Sequence, residues 1–221
     1  MQLKKKLALL AALCLSLGLL AGCGNSGKTN DNETGSAPIG DEPSDSEQMD
    51  NAELLSGKHH VEIEVQDYGT ISVELDADAA PITVTNFIKL ANEGFYDGLT
   101  FHRVVAGFVL QGGDPEGNGT GGSDESIKGE FSENGVENNL SHTRGAISMA
   151  RANPYDSASS QFFIVLEDAT FLDGGYAAFG YVTDGMEIVD KICEEPPVAD
   201  METGLVNAED QPVITRITVV D

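Results

Sequence analysis

The stretch from residue 101 to residue 122, FHRVVAGFVLQGGDPEGNGTGG, places a single arginine in an apolar run and ends in a glycine-rich loop. Its first segment, Phe101 to Val105, combines aromatic and β-branched residues between flanking glycines, which predicts a strand. A second short run extends from Phe108 to Gln111. A buried charge without a partner is very costly. Arg103 must therefore bond to a polar group inside the fold or face a cleft, and these residues alone leave both alternatives open.

Other short runs alternate polar and apolar residues, which predicts half-buried strands. The segments from His60 to Val65 and from Thr70 to Leu75 alternate in this way on either side of a turn, so we expect a hairpin. A last strand is predicted from Val213 to Val220. Many short strands with few helices indicate a β-barrel or a β-sandwich.

Two segments have helical spacing of their apolar residues. The first begins at Pro81, a residue suited to the first helical position, and ends before Gly94. The second is predicted near Met186 to Cys193, with Asp184 as its N-cap. The fold class expected from these patterns is therefore mainly β with two helices.

Three blocks of the sequence resemble the conserved segments of the cyclophilins, a family of peptidyl-prolyl cis-trans isomerases. They are FHRVVAGFVLQGGD from residue 101, the segments 145–151 and 160–164 taken together, and the segments 171–174 and 179–180. Their order and spacing are similar to those of the bacterial branch, from about Val61 to the C-terminus. The resemblance implies a closed eight-stranded antiparallel β-barrel capped by two α-helices, and it implies isomerase activity on X-Pro bonds.

The resemblance also implies roles for individual residues. Arg103 would be the catalytic arginine, and Gln111 would bond the substrate backbone and help to fix Arg103. The pocket for the proline ring would be lined by Phe108, Val109, Phe163 and Leu172. The remaining substrate contacts would come from the main chain of Ala150 and Arg151 and from the side chains of Gln161, Phe171 and Tyr176. For the apolar residues, plain core packing remains an alternative.

A fixed arginine suits this reaction for a physical reason. Rotation about a peptide bond is opposed by amide resonance, with a barrier of about 18–20 kcal/mol. A guanidinium that donates a hydrogen bond to the prolyl nitrogen binds the twisted state more strongly than the planar one, so it lowers this barrier. Arginine suits the task because it stays charged and its donors have a rigid geometry.

Four of these positions depart from residues that are common in the family. Val109 stands where methionine is frequent, whereas Arg151 and Tyr176 stand where many eukaryotic members have asparagine and histidine. Phe171 replaces a tryptophan of the eukaryotic members and lacks an indole N–H. We therefore expect cyclosporin to bind this protein only weakly.

The first 22 residues have the form of a lipoprotein signal peptide. Three lysines at positions 4–6 precede an apolar run from Leu7 to Leu20, which is too short for a comfortable membrane span of about 20 residues. The following Leu20-Ala21-Gly22-Cys23 resembles a bacterial lipobox, which implies cleavage before Cys23 and lipid attachment to it. The alternative is an ordinary secretory signal with an accidental cysteine.

Residues 23–58 form a predicted linker, and residues 59–221 form one predicted domain. The linker nearly lacks large apolar residues and contains eight acidic residues against two lysines, so we expect an extended, disordered spacer. The whole chain has a net charge of −25, which disfavours binding to nucleic acid or to anionic lipid surfaces. A membrane attachment would then depend on the lipid alone. After processing, Cys23 would carry the lipid and only Cys193 would remain as a free thiol, so no intramolecular disulfide is expected.

Other chemistries have little support in the sequence. Residues 117–122 match G-x-G-x-x-G, but no helical pattern follows, so we expect these glycines to allow a tight loop near a cleft. The sequence contains no G-x-S-x-G nucleophile elbow, and its histidines and cysteines do not have the spacing of metal ligands. We therefore expect no metal or cofactor.

The predicted function is isomerisation of X-Pro bonds by a monomeric, lipid-anchored enzyme outside the cytoplasm, where it assists the folding of exported proteins. The alternative is a lipoprotein of the same fold that binds proline-containing peptides or client proteins without useful turnover. The presence of both Arg103 and Gln111 favours the enzyme.

Overall fold

A computed structural model describes residues 54–196 and 198–221. The predicted signal peptide, Cys23 and most of the predicted linker lie outside the described residues. The last residues of that linker contact the domain: the Leu55 N–H donates to Thr85 Oγ1 over 2.9 Å, and the Ala77 N–H donates to the Gly57 carbonyl. Within the described ranges, none of the helices has the length and apolar character that a membrane crossing requires.

Eight strands form one antiparallel sheet. They are β1 (Lys58–Val65), β2 (Gly69–Asp76), β3 (Arg103–Val105), β4 (Val109–Gly112), β5 (Ala146–Met149), β6 (Phe162–Val165), β7 (Ala178–Asp184) and β8 (Ile214–Val219). Their order in the sheet is β3-β4-β6-β5-β7-β2-β1-β8. The predicted hairpin is β1–β2, in which Val61 pairs with Val73 and Ile63 with Ile71. The prediction of a mainly β fold with eight antiparallel strands is confirmed.

The sheet curls until its two edge strands approach each other, but no continuous ladder joins β3 to β8. The seam between these two edges is closed by the residues that precede β3 and by those at the start of β8: the Ile214 N–H donates to the Leu99 carbonyl, and the Phe101 N–H donates to the Pro212 carbonyl. Pro212 has no N–H of its own and cannot continue a ladder. The barrel is therefore less regular than the closed one that was predicted.

The predicted strand from Phe101 to Val105 is too long, because β3 begins only at Arg103. The two residues before it bond to the C-terminal part of the chain instead. The Phe101 N–H donates to the Pro212 carbonyl, and the His102 carbonyl accepts from the N–H of Val206. Tertiary pairing has replaced the regular strand that local propensity favours.

Both predicted helices are present, as α1 (Pro81–Asn92) and α2 (Met186–Glu194). The predicted N-cap of α2 is wrong, because Gly185 occupies that position and Asp184 is still paired with Ser72 in the sheet. Gly185 has a φ of +87°, and a Cβ at this position would lie 2.7 Å from the carbonyl oxygen of Thr70. Only glycine tolerates such a close approach in this conformation.

The N-terminus of α1 is capped by a side chain that is distant in sequence. The buried Glu130 carboxylate accepts the N–H groups of Ile82 and Thr83 over 3.0 and 2.8 Å, and the Thr83 hydroxyl over 2.7 Å. A carboxylate here satisfies donors that a helix leaves unpaired and complements the positive end of its dipole. Glu130 thereby ties the loop before β5 to α1.

A buried aromatic core fixes β6 beneath α1. The Phe87 ring lies 5.1, 5.5 and 5.2 Å from those of Tyr96, Phe162 and Phe179, measured between centroids. Side chains alternate between the faces of a strand. Since Phe162 faces this core, its neighbour Phe163 lies on the other face of β6, where the candidate site is found.

Candidate active site

Strand register places the central residues of the site in one row. Arg103 in β3 pairs with Gln111 in β4, and Gln111 pairs in turn with Phe163 in β6. Directly opposite residues of an antiparallel sheet share a face. Arg103 and Gln111 are therefore brought beside the ring of Phe163, which lies 60 and 52 residues after them in the sequence.

The Arg103 guanidinium is held by two neutral acceptors. Its Nε donates to the carbonyl oxygen of Thr203 over 2.6 Å, and its Nη1 donates to Gln111 Oε1 over 3.1 Å. The chain of bonds continues from Gln111 Nε2 to Gln161 Oε1 over 2.9 Å and from Gln161 Nε2 to the Gly121 carbonyl over 2.7 Å. We call Arg103, Gln111 and Gln161 the polar relay; both of its ends are anchored on backbone carbonyls.

Arg103 is half-buried, and its charge is not matched by a carboxylate. Across residues 54–196 and 198–221, none of the ion pairs involves Arg103. Burial lowers the pKa of Arg103 below its ordinary value, and Tyr176 acts in the opposite direction. An arginine nevertheless stays protonated at neutral pH. Both alternatives from the sequence hold in part: the guanidinium bonds to internal polar groups and also remains partly exposed.

An apolar cluster lies beside the polar relay. Its buried members are Val109, Ala146, Ala150, Phe163, Val165 and Ala169, and its partly buried members are Val105, Phe108, Leu172, Tyr176 and Tyr181. All four residues predicted for the proline pocket belong to this cluster. Phe108 precedes β4 in a turn in which its N–H donates to the Val105 carbonyl, so it can pack on the same side as Val109.

Phe171 borders this cluster as an exposed aromatic ring. Its side chain is 76% exposed and stacks on Phe108, with 5.7 Å between centroids and 23° between planes. Phe171 lies in a 3₁₀ turn, Thr170–Leu172, which also carries Leu172. One short turn therefore supplies both a partly buried apolar side chain and an exposed ring.

Arg151 has a larger structural role than the main-chain contact predicted for it. Its Nε donates to the Gly175 carbonyl over 2.9 Å, and its Cζ lies 4.8 Å from the ring centroid of Tyr176. The rings of Phe131 and Tyr155 each lie 5.1 Å away. These cation–π contacts fix Tyr176 at the edge of the cluster. Sequence reasoning missed Phe131 and Tyr155, for which no local pattern gives a signal.

Ala150 is buried, and its N–H donates to the Gln161 carbonyl over 2.9 Å. A main-chain contact between Ala150 and a peptide would therefore have to use the Ala150 carbonyl. Gln161 thus accepts two hydrogen bonds in the site: its backbone carbonyl accepts from Ala150, and its side-chain Oε1 accepts from Gln111.

His142, for which sequence reasoning predicted no role, contacts the apolar cluster at Phe163. Its ring stacks on Phe163 with 6.0 Å between centroids, Nδ1 lies 2.7 Å from Asp173 Oδ1, and Nε2 lies 2.9 Å from Ser148 Oγ. Burial lowers the pKa of His142, although Asp173 acts in the opposite direction. The neutral ring can donate to Asp173 and accept from Ser148. His142 thereby joins β5 to the turn that carries Leu172.

Strand alternation predicts that His102 lies opposite Arg103; the structure places His102 just before β3 and buries it, whereas Arg103 is half-buried. His102 is fully buried, and neither of its ring nitrogens has a hydrogen-bond partner among the described residues. Burial lowers its pKa to about 4, with Asp114 raising it and Arg103 lowering it. His102 is therefore neutral at physiological pH and lies in the interior rather than in the cleft.

The glycine-rich segment forms a tight loop rather than the start of a helix. The Asp114 carboxylate accepts the N–H groups of Glu116, Asn118 and Gly119 over 2.9, 3.1 and 2.5 Å. The carbonyl of Gly121 reaches the polar relay through Gln161. No group of three or more potential metal ligands is found in the described part of the chain.

The chain is similar to known proteins in sequence. A family model described as "Cyclophilin type peptidyl-prolyl cis-trans isomerase/CLD" matches residues 60–219. Peptidyl-prolyl cis-trans isomerase B of Bacillus subtilis (strain 168) is 54% identical over 123 residues, which are 56% of this chain and 82% of that protein. A peptidyl-prolyl cis-trans isomerase of Helicobacter pylori (strain ATCC 700392 / 26695) is 49% identical over 126 residues, which are 56% and 74% of the two chains.

Solved structures are similar as well. A crystal structure of a cyclophilin type peptidyl-prolyl cis-trans isomerase from Cryptosporidium parvum has a TM-score of 0.65 and 30% identity, over 75% of this chain and 99% of that one. A second structure of that protein, in the presence of the dipeptide Ala-Pro, has the same TM-score over 73% of this chain. Since the family match extends from β1 to the end of β8, the chain belongs to the cyclophilin family and is a peptidyl-prolyl cis-trans isomerase.

Proposed function

We propose that Arg103 is the catalytic residue of this isomerase. The observation that carries the proposal is its attachment to two neutral acceptors, the Thr203 carbonyl and the Gln111 side chain. Such partners fix the plane of the guanidinium without neutralising its charge. A pre-oriented, charged donor of this kind is effective at stabilising charge that develops in a transition state.

The hydrogen bond would form as the X-Pro bond rotates. Twisting the peptide bond localises the lone pair on the prolyl nitrogen, which then becomes a better acceptor. The guanidinium has five N–H donors, and the two bonds described engage only two of them. A remaining donor directed at the prolyl nitrogen binds the twisted state more strongly than the planar state, so it lowers the barrier.

The apolar cluster would hold the proline ring while the preceding residue rotates. We assign its floor to Val109 and Phe163, which are buried, and its walls to Phe108 and Leu172, which are partly exposed. The second N–H of Gln111 Nε2 would bond the peptide backbone, since the first donates to Gln161. Holding one part of the substrate in place lowers the entropic cost of reaching the twisted state.

The other predicted contacts extend this arrangement along the peptide. The substrate backbone would reach the main chain at Ala150 and Arg151, with Gln161, Tyr176 and Phe171 along the adjoining groove. The structure of the Cryptosporidium protein was determined in the presence of Ala-Pro. We propose proline-containing peptides as the substrates of the present chain, acted on by a monomer.

We also propose that the enzyme works outside the cytoplasm on exported proteins. The support lies in the sequence: Leu20-Ala21-Gly22-Cys23 resembles a lipobox after a short apolar run, and an acidic spacer follows it. The net charge of −25 makes attraction to an anionic membrane surface unfavourable, so the attachment would be the lipid on Cys23.

A substitution at Cys23 tests the location. Cys23→Ser removes the atom to which the lipid would be attached, whereas Cys14→Ser makes the same change inside the apolar run. We expect the first variant to leave the membrane fraction and the second to remain there. If Cys23→Ser still partitions wholly with membranes, the lipid anchor is refuted. If cells with an inactive Arg103→Ala enzyme mature their exported proteins normally, the role with exported clients is refuted instead.

A further inference from the structure

The loop between α2 and β8 closes on itself. Its ends meet at a bridge between Val198 and Val206, and the Ala199 N–H donates to the Leu205 carbonyl over 2.8 Å. At its tip, the Asp200 carboxylate accepts the Glu202 N–H over 2.8 Å. We call residues 198–206 the 198–206 loop; these bonds give it a defined conformation of its own.

This loop also pairs with β3 through its backbone. The Val104 N–H donates to the Gly204 carbonyl over 2.8 Å, and Arg103 forms a bridge with Leu205. The same alignment brings the Thr203 carbonyl to 2.6 Å from Arg103 Nε, the shorter of the two hydrogen bonds described for the guanidinium. The position of the loop against β3 therefore sets the orientation of Arg103.

Gly204 is the residue that permits this approach. Its φ is +80°, and a Cβ at this position would lie 2.6 Å from the Val104 carbonyl oxygen and 2.7 Å from Val105 Cγ2. The first of these is a backbone atom of β3, which cannot move without disturbing the sheet. Any larger residue would therefore push the loop away from β3.

We propose that Gly204 is a positioning residue for Arg103. The absence of its side chain lets the Thr203 carbonyl hold Nε, so that the Nη groups keep their direction towards Gln111 and the cleft. Gly204 acts only through Arg103 and touches no substrate. This inference rests on the proposed catalytic role of Arg103 and is independent of the location of the enzyme.

The first test compares two glycine substitutions in the protein. Gly98 has the same φ of +80°, but a Cβ there would meet no atom within 4 Å. Gly98→Ala therefore reproduces the backbone strain of Gly204→Ala without the steric contact. We expect Gly204→Ala to lower kcat/KM by about 10-fold or more, mainly through kcat, because a misplacement of about 1 Å can cost up to about 100-fold. Gly98→Ala should stay within about twofold of the parent, as expected away from the site.

A double-mutant cycle separates positioning from general damage. Arg103→Lys keeps a positive charge but has no Nε–H for Thr203. If Gly204 acts through Arg103, Gly204→Ala should lower activity by less than about twofold in the Arg103→Lys background, since coupled sites are not additive. An undiminished loss in that background would overturn the inference. Full activity of Arg103→Lys and Arg103→Ala would overturn the proposed function instead.

A direct readout is the Arg103 Nε–H signal in ¹⁵N NMR. A hydrogen bond to Thr203 should slow its exchange with water, and Gly204→Ala should accelerate that exchange while Gly98→Ala leaves it unchanged. If Gly204→Ala fails to fold, Asp200→Ala is the substitute, because it removes the carboxylate that orders the tip of the loop. Asp200→Asn, which keeps an acceptor oxygen, is its control. If the folded variant, Gly204→Ala or its substitute Asp200→Ala, shows the same Arg103 Nε–H exchange rate as the parent protein, the proposal is refuted.

Discussion

Arg103 and Gln111 lie directly opposite each other in the β3–β4 ladder, and Nη1 of the arginine donates to Oε1 of the glutamine over 3.1 Å. The partner that orients the charge is thus an uncharged amide within the sheet. This arrangement makes the site sensitive to charge substitutions that barely change its shape.

Arg103→Ala should remove most of the isomerase activity while the domain stays folded. Loss of a pre-oriented donor typically costs about 100- to 1,000-fold in turnover. The lost hydrogen bonds are to neutral groups, so we expect the free energy of unfolding to fall by only about 1–2 kcal/mol. Isomerisation of a proline tetrapeptide and urea unfolding should be measured on the same sample. Arg216→Ala, at an exposed ion pair with Glu64, is the control. A folded variant with full activity would contradict the assignment.

Gln111→Glu tests whether the neutrality of the partner matters. The new carboxylate would pair with Arg103 and offset its charge, so kcat/KM should decrease by about 10-fold at pH 7.5. Protonation of that carboxylate restores a neutral acceptor, so relative to the parent the variant should regain activity as the pH falls. Gln111→Leu, which has no acceptor at any pH, should show no such recovery. Parent-like activity of Gln111→Glu at pH 7.5 would argue against a role for the neutral partner.

Because of His102, the free energy of unfolding should decrease as the pH is lowered from 7 to 4.5. The pKa of His102 is about 4 in the folded protein, because burial disfavours the charged form, against about 6.5 in the unfolded chain. The unfolded state therefore binds more protons as the pH falls through 6.5, and about 2–3 kcal/mol of stability is lost by pH 4.5.

Replacement of His102 by leucine should reduce that dependence, as measured by urea unfolding at several pH values. His142 also has a lowered pKa and should leave a residual slope of the same sign. An unchanged slope in His102→Leu would show that His102 is not responsible.

Phe171→Trp should strengthen inhibition by cyclosporin. The ring at this position is exposed and stacked on Phe108, and tryptophan would add an indole N–H donor at the same place. Phe171→Tyr, which adds a phenolic O–H donor at a different place on the ring, tests whether the position of the indole N–H matters. Inhibition of tetrapeptide isomerisation should improve for the tryptophan variant only. Equal inhibition of all three proteins would mean that Phe171 does not limit binding of the drug.

The parts of the fold that could be predicted are those in which the pattern is local. Alternation in β1 and β2 and Pro81 at the start of α1 each lie within one segment, and the structure confirms them. The start of β3 was missed because Phe101 bonds to Pro212, which is 111 residues away. The N-cap at Gly185 was missed because it depends on the proximity of Thr70.

The candidate site shows the same division. The residues of the polar relay and the four residues assigned to the proline pocket could be named because they lie in blocks that resemble a known family. The register of β3, β4 and β6 brings Arg103, Gln111 and Phe163 together. The contact from Thr203 could not be found, because a backbone carbonyl leaves no trace in residue type. His142 was missed for a different reason: its partners Asp173 and Ser148 lie on separate elements.

The polar relay ends on the carbonyls of Thr203 and Gly121. Every amino acid supplies a backbone carbonyl, so the hydrogen bond from Arg103 Nε does not depend on the side chain at position 203. Many side chains of the 198–206 loop, including the exposed Met201, can therefore be substituted without changing the geometry around Arg103. The sequence of this surface can therefore diverge among relatives, provided that glycine persists at position 204.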